Sequence, residues 1–171
     1  MKKLLVVVDM QKDFIDGALG TPEAAAVVAK VREKILSYPA GDVYATMDTH
    51  GEDYLRTQEG RQLPVVHCLR GTEGWALHPD IAPLIRQERI FEKPSFGSVK
   101  LAETLAALPD IEEIELVGLC TDICVVSNAL LLKAFLPETR IAVDSACCAG
   151  VTPEKHRAAL ETMASCQIDI L

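Results

Sequence analysis

Two cysteines stand four residues apart in "VGLCTDICVV" (117–126), separated by Thr121, Asp122 and Ile123. Thiols at that spacing could clamp a metal, form a redox couple, pack in a core, or supply one nucleophile beside a bystander. The six cysteines (68, 120, 124, 147, 148 and 166) contain no C-x-x-C pair, which argues against a thiolate zinc site or a thioredoxin-like couple. Cys120 falls in the turn leaving an apolar run. Cys124 is expected in the first turn of the following helix, with Thr121 or Asp122 as its cap. A thiol there meets the positive end of the helix dipole and unpaired backbone N–H groups, which favour thiolate. Cys120, Cys147, Cys148 and Cys166 read as small core hydrophobes. Cys124 reads as a nucleophile.

A thiol nucleophile needs a group to take its proton, and a leaving amine needs a group to return one; one carboxylate can do both. Asp9 closes the apolar run "LLVVV", and Lys93 precedes Pro94 at the end of "RIFEK". Each has an ordinary reading, as a solvated strand end and a surface lysine. A lysine beside the carboxylate would hold it in place and favour the ionised acid and thiol. A second group comprises Asp48, His50, Glu59 and His67. Asp-x-His past an apolar run, with another His ending "LPVVH", offers nitrogen and oxygen ligands. These suit zinc, manganese or iron rather than calcium. His78 and His156 have no such company and read as structural.

Strands and helices must bring these residues together. Strands are predicted at 4–9, 42–47, 89–93, 113–118, 140–144 and 167–171, alternating with helical patterns. "TPEAAAVVAKVREKILSY" opens with Thr21 as N-cap and Pro22 at the first helical position; "TPEKHRAALETMAS" repeats that opening at Thr152 and Pro153. Residues 98–107 and 123–135 also have helix-forming composition. The runs at 4–9, 113–118 and 140–144 are nearly continuously apolar, as in strands buried on both faces. The prediction is a Rossmann-like, three-layer α/β/α domain over residues 1–171, with a mainly parallel sheet of about six strands. Residues 49–87, rich in Gly, Pro and polar groups, read as a functional excursion from it. In such sheets the site lies beyond the carboxyl ends of the strands, where Asp9, Asp48, Lys93 and "GLCTDIC" fall.

The composition sets outer bounds. With 49% hydrophobic residues in 171, the chain can bury a core without disulfide or structural metal. A formal net charge of −8 and the lack of a clustered basic patch argue against nucleic acid. Neither a basic amphipathic segment nor an apolar stretch of membrane-spanning length is present; the run after Lys2 and Lys3 stops at Asp9. A cytoplasmic protein with free thiols is expected. No G-x-G-x-x-G follows the first strand, which excludes the common dinucleotide fingerprint.

Several of these segments match one known family. "VVVDMQKDF" resembles the D-x-Q-x-D-F opening of the isochorismatase-like cysteine hydrolases, and "ATMDTH", "LPVVHC", "FEKPSF" and "GLCTDICV" resemble further motifs of its nicotinamidase branch. The resemblance runs nearly the whole chain. It implies an amidohydrolase converting nicotinamide, or a related aromatic carboxamide, to the acid and ammonia through a cysteine thioester. Asp9 would be the acid/base, Lys93 the catalytic lysine and Cys124 the nucleophile. Phe14 would wall the substrate ring, and a cis peptide would precede Cys120, whose N–H would join that of Cys124 in an oxyanion hole. Asp48, His50, His67 and Glu59 would hold one divalent metal, zinc first, with manganese or iron as alternatives. The partners implied are a small-molecule amide and further copies of the chain in a homo-oligomer. "PSFGS" after Lys93 and Pro64 before the "HC" segment depart from the family pattern. A metal-independent amidase of the same superfamily and a catalytically silent binding protein are the competing expectations.

Overall fold

The computed structural model describes residues 2–171. Six strands form one parallel sheet: β1 (Lys2–Val8), β2 (Val43–Asp48), β3 (Ile90–Lys93), β4 (Ile111–Leu119), β5 (Arg140–Ala149) and β6 (Asp169–Ile170). Their order is β3-β2-β1-β4-β5-β6, and every pairing is parallel. All six predicted strands are present. The connections reverse direction at the β1–β4 boundary, so the carboxyl ends there open into a crevice.

Helices cover both faces. One-turn α1 (Lys12–Ile15) leads into α2 (Pro22–Leu36). Helix α2 buries Val27, Val28, Val31 and Ile35 against Leu5, Val7 and Val117, on a face completed by Leu77, Ile81 and Ile85 of the excursion. The short α3 (Gln58–Gln62) is the excursion's α-helix. On the opposite face lie α4 (Val99–Ala106), α5 (Val126–Phe135) and α6 (Pro153–Ser165). They pack Leu101, Leu105, Ala129, Leu132 and Met163 over Leu4, Val6, Ile114 and Leu116. The alternation of β1 residues between these two layers is the two-residue strand period read in three dimensions.

The predicted helix starts hold. Thr21 accepts a hydrogen bond from Ala24 N, Thr152 accepts one from Lys155 N, and each is followed by proline. Two expectations are corrected. Cys166 is exposed rather than packed in the core, because it caps the C-terminus of α6 beyond the face that carries Ala159 and Met163. The apolar β4 and β5 also carry charge: buried Glu115 lies 2.7 Å from Lys34, which reaches Asp144 at 2.8 Å. Tyr38 Oη donates to Glu115 at 2.6 Å. Among the described residues no helix is long and apolar enough to cross a membrane.

Candidate active site and metal centre

Four candidate residues fall at the carboxyl ends of four strands, while Phe14 lies on α1, Glu59 on α3 and His67 in the excursion. Asp9 follows β1 with φ +48°, Asp48 ends β2, Lys93 ends β3, and Cys124 lies just past β4. Gly118 (φ +118°) lets β4 run close to β1, since a Cβ there would overlap the Val8 carbonyl. The next peptide but one, Leu119–Cys120, is cis, as the resemblance implied.

Lys93 links the acid to the thiol. Its Nζ lies 2.7 Å from Asp9 Oδ2 and donates to Cys124 Sγ at 3.3 Å and to Ser95 O at 3.0 Å. Thr46 Oγ1 donates to Asp9 Oδ1 at 2.7 Å. Asp9 and Lys93 are 0% and 1% exposed, so each charge depends on the other for its solvation. Burial pushes the Asp9 carboxyl above its ordinary range, with Lys93 pulling the other way. Burial also opposes the Lys93 charge, but the carboxylates of Asp9 and Asp48 outweigh it and raise the ammonium above its ordinary value.

The thiol departs from expectation. Cys124 sits in a π-helical turn, Thr121–Val125, ahead of α5 rather than in that helix's first turn. Neither Thr121 nor Asp122 caps it. The Thr121 hydroxyl pairs with His156 Nδ1 at 2.7 Å, while Asp122 Oδ1 accepts from Val151 N. Burial, followed by the charge of Asp9, raises the Cys124 thiol well above its ordinary value, although Lys93 opposes this. Burial and the neighbouring carboxylate therefore disfavour a standing thiolate at Cys124. His156, read from sequence as structural, braces the turn that carries Cys124; only the contact of α6 with that turn discloses it. Cys120 is half-buried, and burial and Asp122 push its thiol up to about 12.

The second group also assembles. Donor atoms from Asp48, His50, Glu59 and His67 all lie within 4.8 Å of one another. His50 Nε2 and His67 Nε2 approach Asp48 Oδ2 at 2.9 and 3.4 Å, and Glu59 Oε1 at 3.6 and 3.9 Å. His67 Nδ1 is engaged by Val65 O at 2.8 Å, which turns Nε2 towards the cluster, the usual support for a ligating imidazole. Asp48 Oδ1 is buried and faces the Lys93 ammonium at 3.7 Å, so Oδ2, the oxygen beside the two imidazoles, is the one this carboxylate can offer a cation. Burial opposes the Asp48 charge, yet His50, His67 and Lys93 hold the carboxyl well below its ordinary range. Burial and the nearby Asp48 push Glu59 the other way. Two imidazoles and two carboxylates fit a zinc-type ion, and the residues present fit the group that the sequence implied.

Both groups border a cavity of about 280 Å³, near the small end of the usual 300–1,000 Å³ range for small-molecule sites. Its walls are Phe14, Leu19, Leu63, Phe96, Ile123 and Val151, and its polar lining includes Asp48, Glu59, His67, Cys120 and Cys124. The "PSFGS" departure thus supplies Phe96 to the wall and the Ser95 carbonyl to Lys93. A flat, mostly apolar molecule can lie here with one end at the thiol and another at the cluster.

A parallel sheet with a buried thiol, acid and lysine at its switch point defines a hydrolase-like α/β domain, and the comparisons give the family. The isochorismatase domain profile matches residues 3–171, and the chain belongs to that family. A Bacillus subtilis (strain 168) protein described as the uncharacterized isochorismatase family protein PncA is 31% identical, over 96% of each chain. The nicotinamidase/pyrazinamidase of Mycobacterium tuberculosis is 28% identical, over 99% of this chain and 98% of its own. The crystal structure of the Pyrococcus horikoshii pyrazinamidase in complex with zinc superposes with a TM-score of 0.83, at 28% identity, covering 100% of this chain and 99% of that one.

Proposed function

We propose that this chain is a cysteine-dependent amidohydrolase that converts nicotinamide, or a closely related nitrogen-containing aromatic carboxamide, to the acid and ammonia. The observation that carries this reading is the placement of Lys93 between Asp9 and Cys124, beside a cavity whose other polar end is the four-ligand cluster. The nicotinamidase/pyrazinamidase similarity over nearly the full length supports it.

Asp9 takes the Cys124 thiol proton as the sulfur attacks the carboxamide carbon. A carboxyl raised by burial is a better-matched base for that proton than an exposed one. The backbone N–H groups of Cys120 and Cys124 receive the oxyanion, and the Lys93 ammonium offsets the charge moving between acid and sulfur. Asp9 then returns its proton to the leaving nitrogen. Ammonia departs, and the acyl group stays on sulfur as a thioester. A water attacks the thioester while giving a proton to Asp9, the carbon–sulfur bond breaks, and Asp9 returns the proton to sulfur. The acid leaves and the starting state is restored.

Asp48, His50, Glu59 and His67 would hold the divalent ion, zinc being the first choice. When bound, that ion supplies a Lewis-acidic position for a ring-nitrogen lone pair. Phe14, its ring 5.5 Å from that of His67, would fix the plane of the substrate and so the approach of its carboxamide to Cys124. The test is ammonia release from nicotinamide, pyrazinamide, benzamide and a linear carbamoyl amide, with and without added zinc. Turnover confined to the linear amide would overturn the substrate class, and no turnover of any amide would overturn the activity.

A further inference from the structure

Strand β1 leaves the sheet early, and that departure creates a gap beside a metal-ligand candidate. The last β1–β2 rung pairs Val8 with Thr46. Asp9 N still reaches Thr46 O at 3.2 Å, but at φ +48° the chain then turns away, aiming the Asp9 carboxylate at Lys93. The next main-chain groups of β2 facing that side are the N–H and C=O of Asp48. They are buried, and without partners they would carry the desolvation cost of two orphaned peptide groups.

The side chain of Gln11 meets both. Asp48 N donates to Gln11 Oε1 at 2.8 Å, and Gln11 Nε2 donates to Asp48 O at 2.8 Å. The second amide hydrogen goes to Trp75 O at 2.9 Å, tying the excursion to the same point. On the other edge, β3 completes the grip: Asp48 pairs with Lys93, and Thr49 N donates to Lys93 O at 3.0 Å. Gln11 is 0% exposed; its main-chain N–H donates to Asp9 O at 2.7 Å, while the hydrogen bonds of its side chain go to Asp48 and Trp75 rather than to the Asp9 carboxylate, Lys93 or Cys124.

We infer that the Gln11 side chain is a surrogate peptide group, and a positioning residue for the metal centre: it stands in for the strand that β1 withdraws, and so fixes the backbone from which the Asp48 carboxylate is aimed. An amide is required, because the position needs one acceptor and two donors in one plane. Two residues on, Asp13 does related work for the opposite ligand. Its Oδ2 accepts from Cys68 N at 2.8 Å, holding the residue after His67 at φ +47°, and Cys68 O in turn accepts from His50 N at 3.0 Å. Alternate residues of "DMQKDF" thus reach the acid/base position, the Asp48 backbone and the His67–His50 connection.

The inference rests on the metal reading of the cluster, and the experiment separates the two. Zinc affinity of the metal-free full-length protein is measured by competition with a chromogenic chelator, for wild type, Gln11→Met and Gln11→Glu. Alkylation of Cys124 by iodoacetamide is followed in the same metal-free samples. Both variants are expected to bind zinc about 10–100-fold more weakly, the usual effect of removing an outer support of a ligand, with Cys124 alkylated at the wild-type rate. Gln11→Glu is the decisive variant and covers the case in which Gln11→Met fails to fold. It keeps the length and the acceptor, loses the donors, and adds a negative charge that alone would tighten cation binding. Wild-type or tighter affinity in folded Gln11→Glu overturns the inference, as does an alkylation rate that falls in step with the affinity. Failure of the wild-type protein to bind zinc overturns the metal reading itself.

Discussion

The ammonium of Lys93 lies 2.7 Å from Asp9 Oδ2 with both side chains sealed from solvent. The pair's attraction must offset the desolvation of two ions, so either partner left alone is costly. Asp9→Asn should lower kcat by about 10²-fold or more, the scale of a lost general acid/base, with a smaller change in KM. The acid limb of the wild-type pH–rate profile should lie above the ordinary carboxylate value of 3.8, because burial raises this carboxyl and only its ionised form accepts the thiol proton. Steady-state ammonia assays across pH check both. Near wild-type turnover in Asp9→Asn would assign the proton transfers elsewhere.

Cys124→Ala should abolish turnover and acylation, whereas Cys120→Ala keeps its backbone N–H and should retain most activity. Intact-mass measurement after treatment with a substrate-like aldehyde or an alkylating agent reads the modified position. Because burial and Asp9 keep the Cys124 thiol protonated, its alkylation in metal-free protein should still be accelerating as pH passes 9.0, the ordinary thiol value. A plateau in the neutral range would instead indicate a standing thiolate.

If the cluster reads a ring nitrogen, nicotinamide should be hydrolysed much faster than benzamide. A polar site left unmatched can reject an analogue by up to about 10⁴-fold. His50→Ala should lose metal and most of that preference together. Parallel assays on the two amides, with metal content measured on the same samples, give the answer. Equal rates in the zinc-loaded wild type would separate the cluster from substrate choice.

Away from the cavity, Lys34 ties α2 to the sheet through Glu115 and Asp144. Burial opposes both the Asp144 and Lys34 charges, but their pairing prevails: Asp144 is lowered from 3.8 and Lys34 raised from 10.5. The lowered carboxyl stabilises the fold above its ordinary value, and that contribution disappears as pH falls through the folded-state value. The raised lysine contributes fully below its ordinary value and loses its contribution as pH rises through the folded-state one. Lys34→Met should therefore cost about 2 kcal/mol or more at neutral pH, with the gap from wild type narrowing at both extremes. Urea denaturation across pH measures it, and a pH-independent difference would mean that packing alone is lost.

Much of this molecule was legible in one dimension. Short β-branched apolar runs and Thr-Pro helix starts are local effects of strand propensity and capping, so all six strands and the two Thr-Pro helices, α2 and α6, could be placed from the sequence alone. Strand ends are where open parallel sheets expose side chains, which is why Asp9, Asp48, Lys93 and the Cys120–Cys124 segment could be assigned to one edge. What could not be read depends on partners distant in sequence. The protonation of Cys124 is decided by how deeply the turn is buried and by Asp9, 115 positions away along the chain. His156 gains a role only because α6 docks on the turn after β4. Gln11 is an unremarkable polar residue until β1 turns away and leaves the Asp48 peptide groups facing it. Local propensity is written in neighbouring residues; desolvation and hydrogen-bond satisfaction belong to the packed chain, and only the tertiary structure decides them.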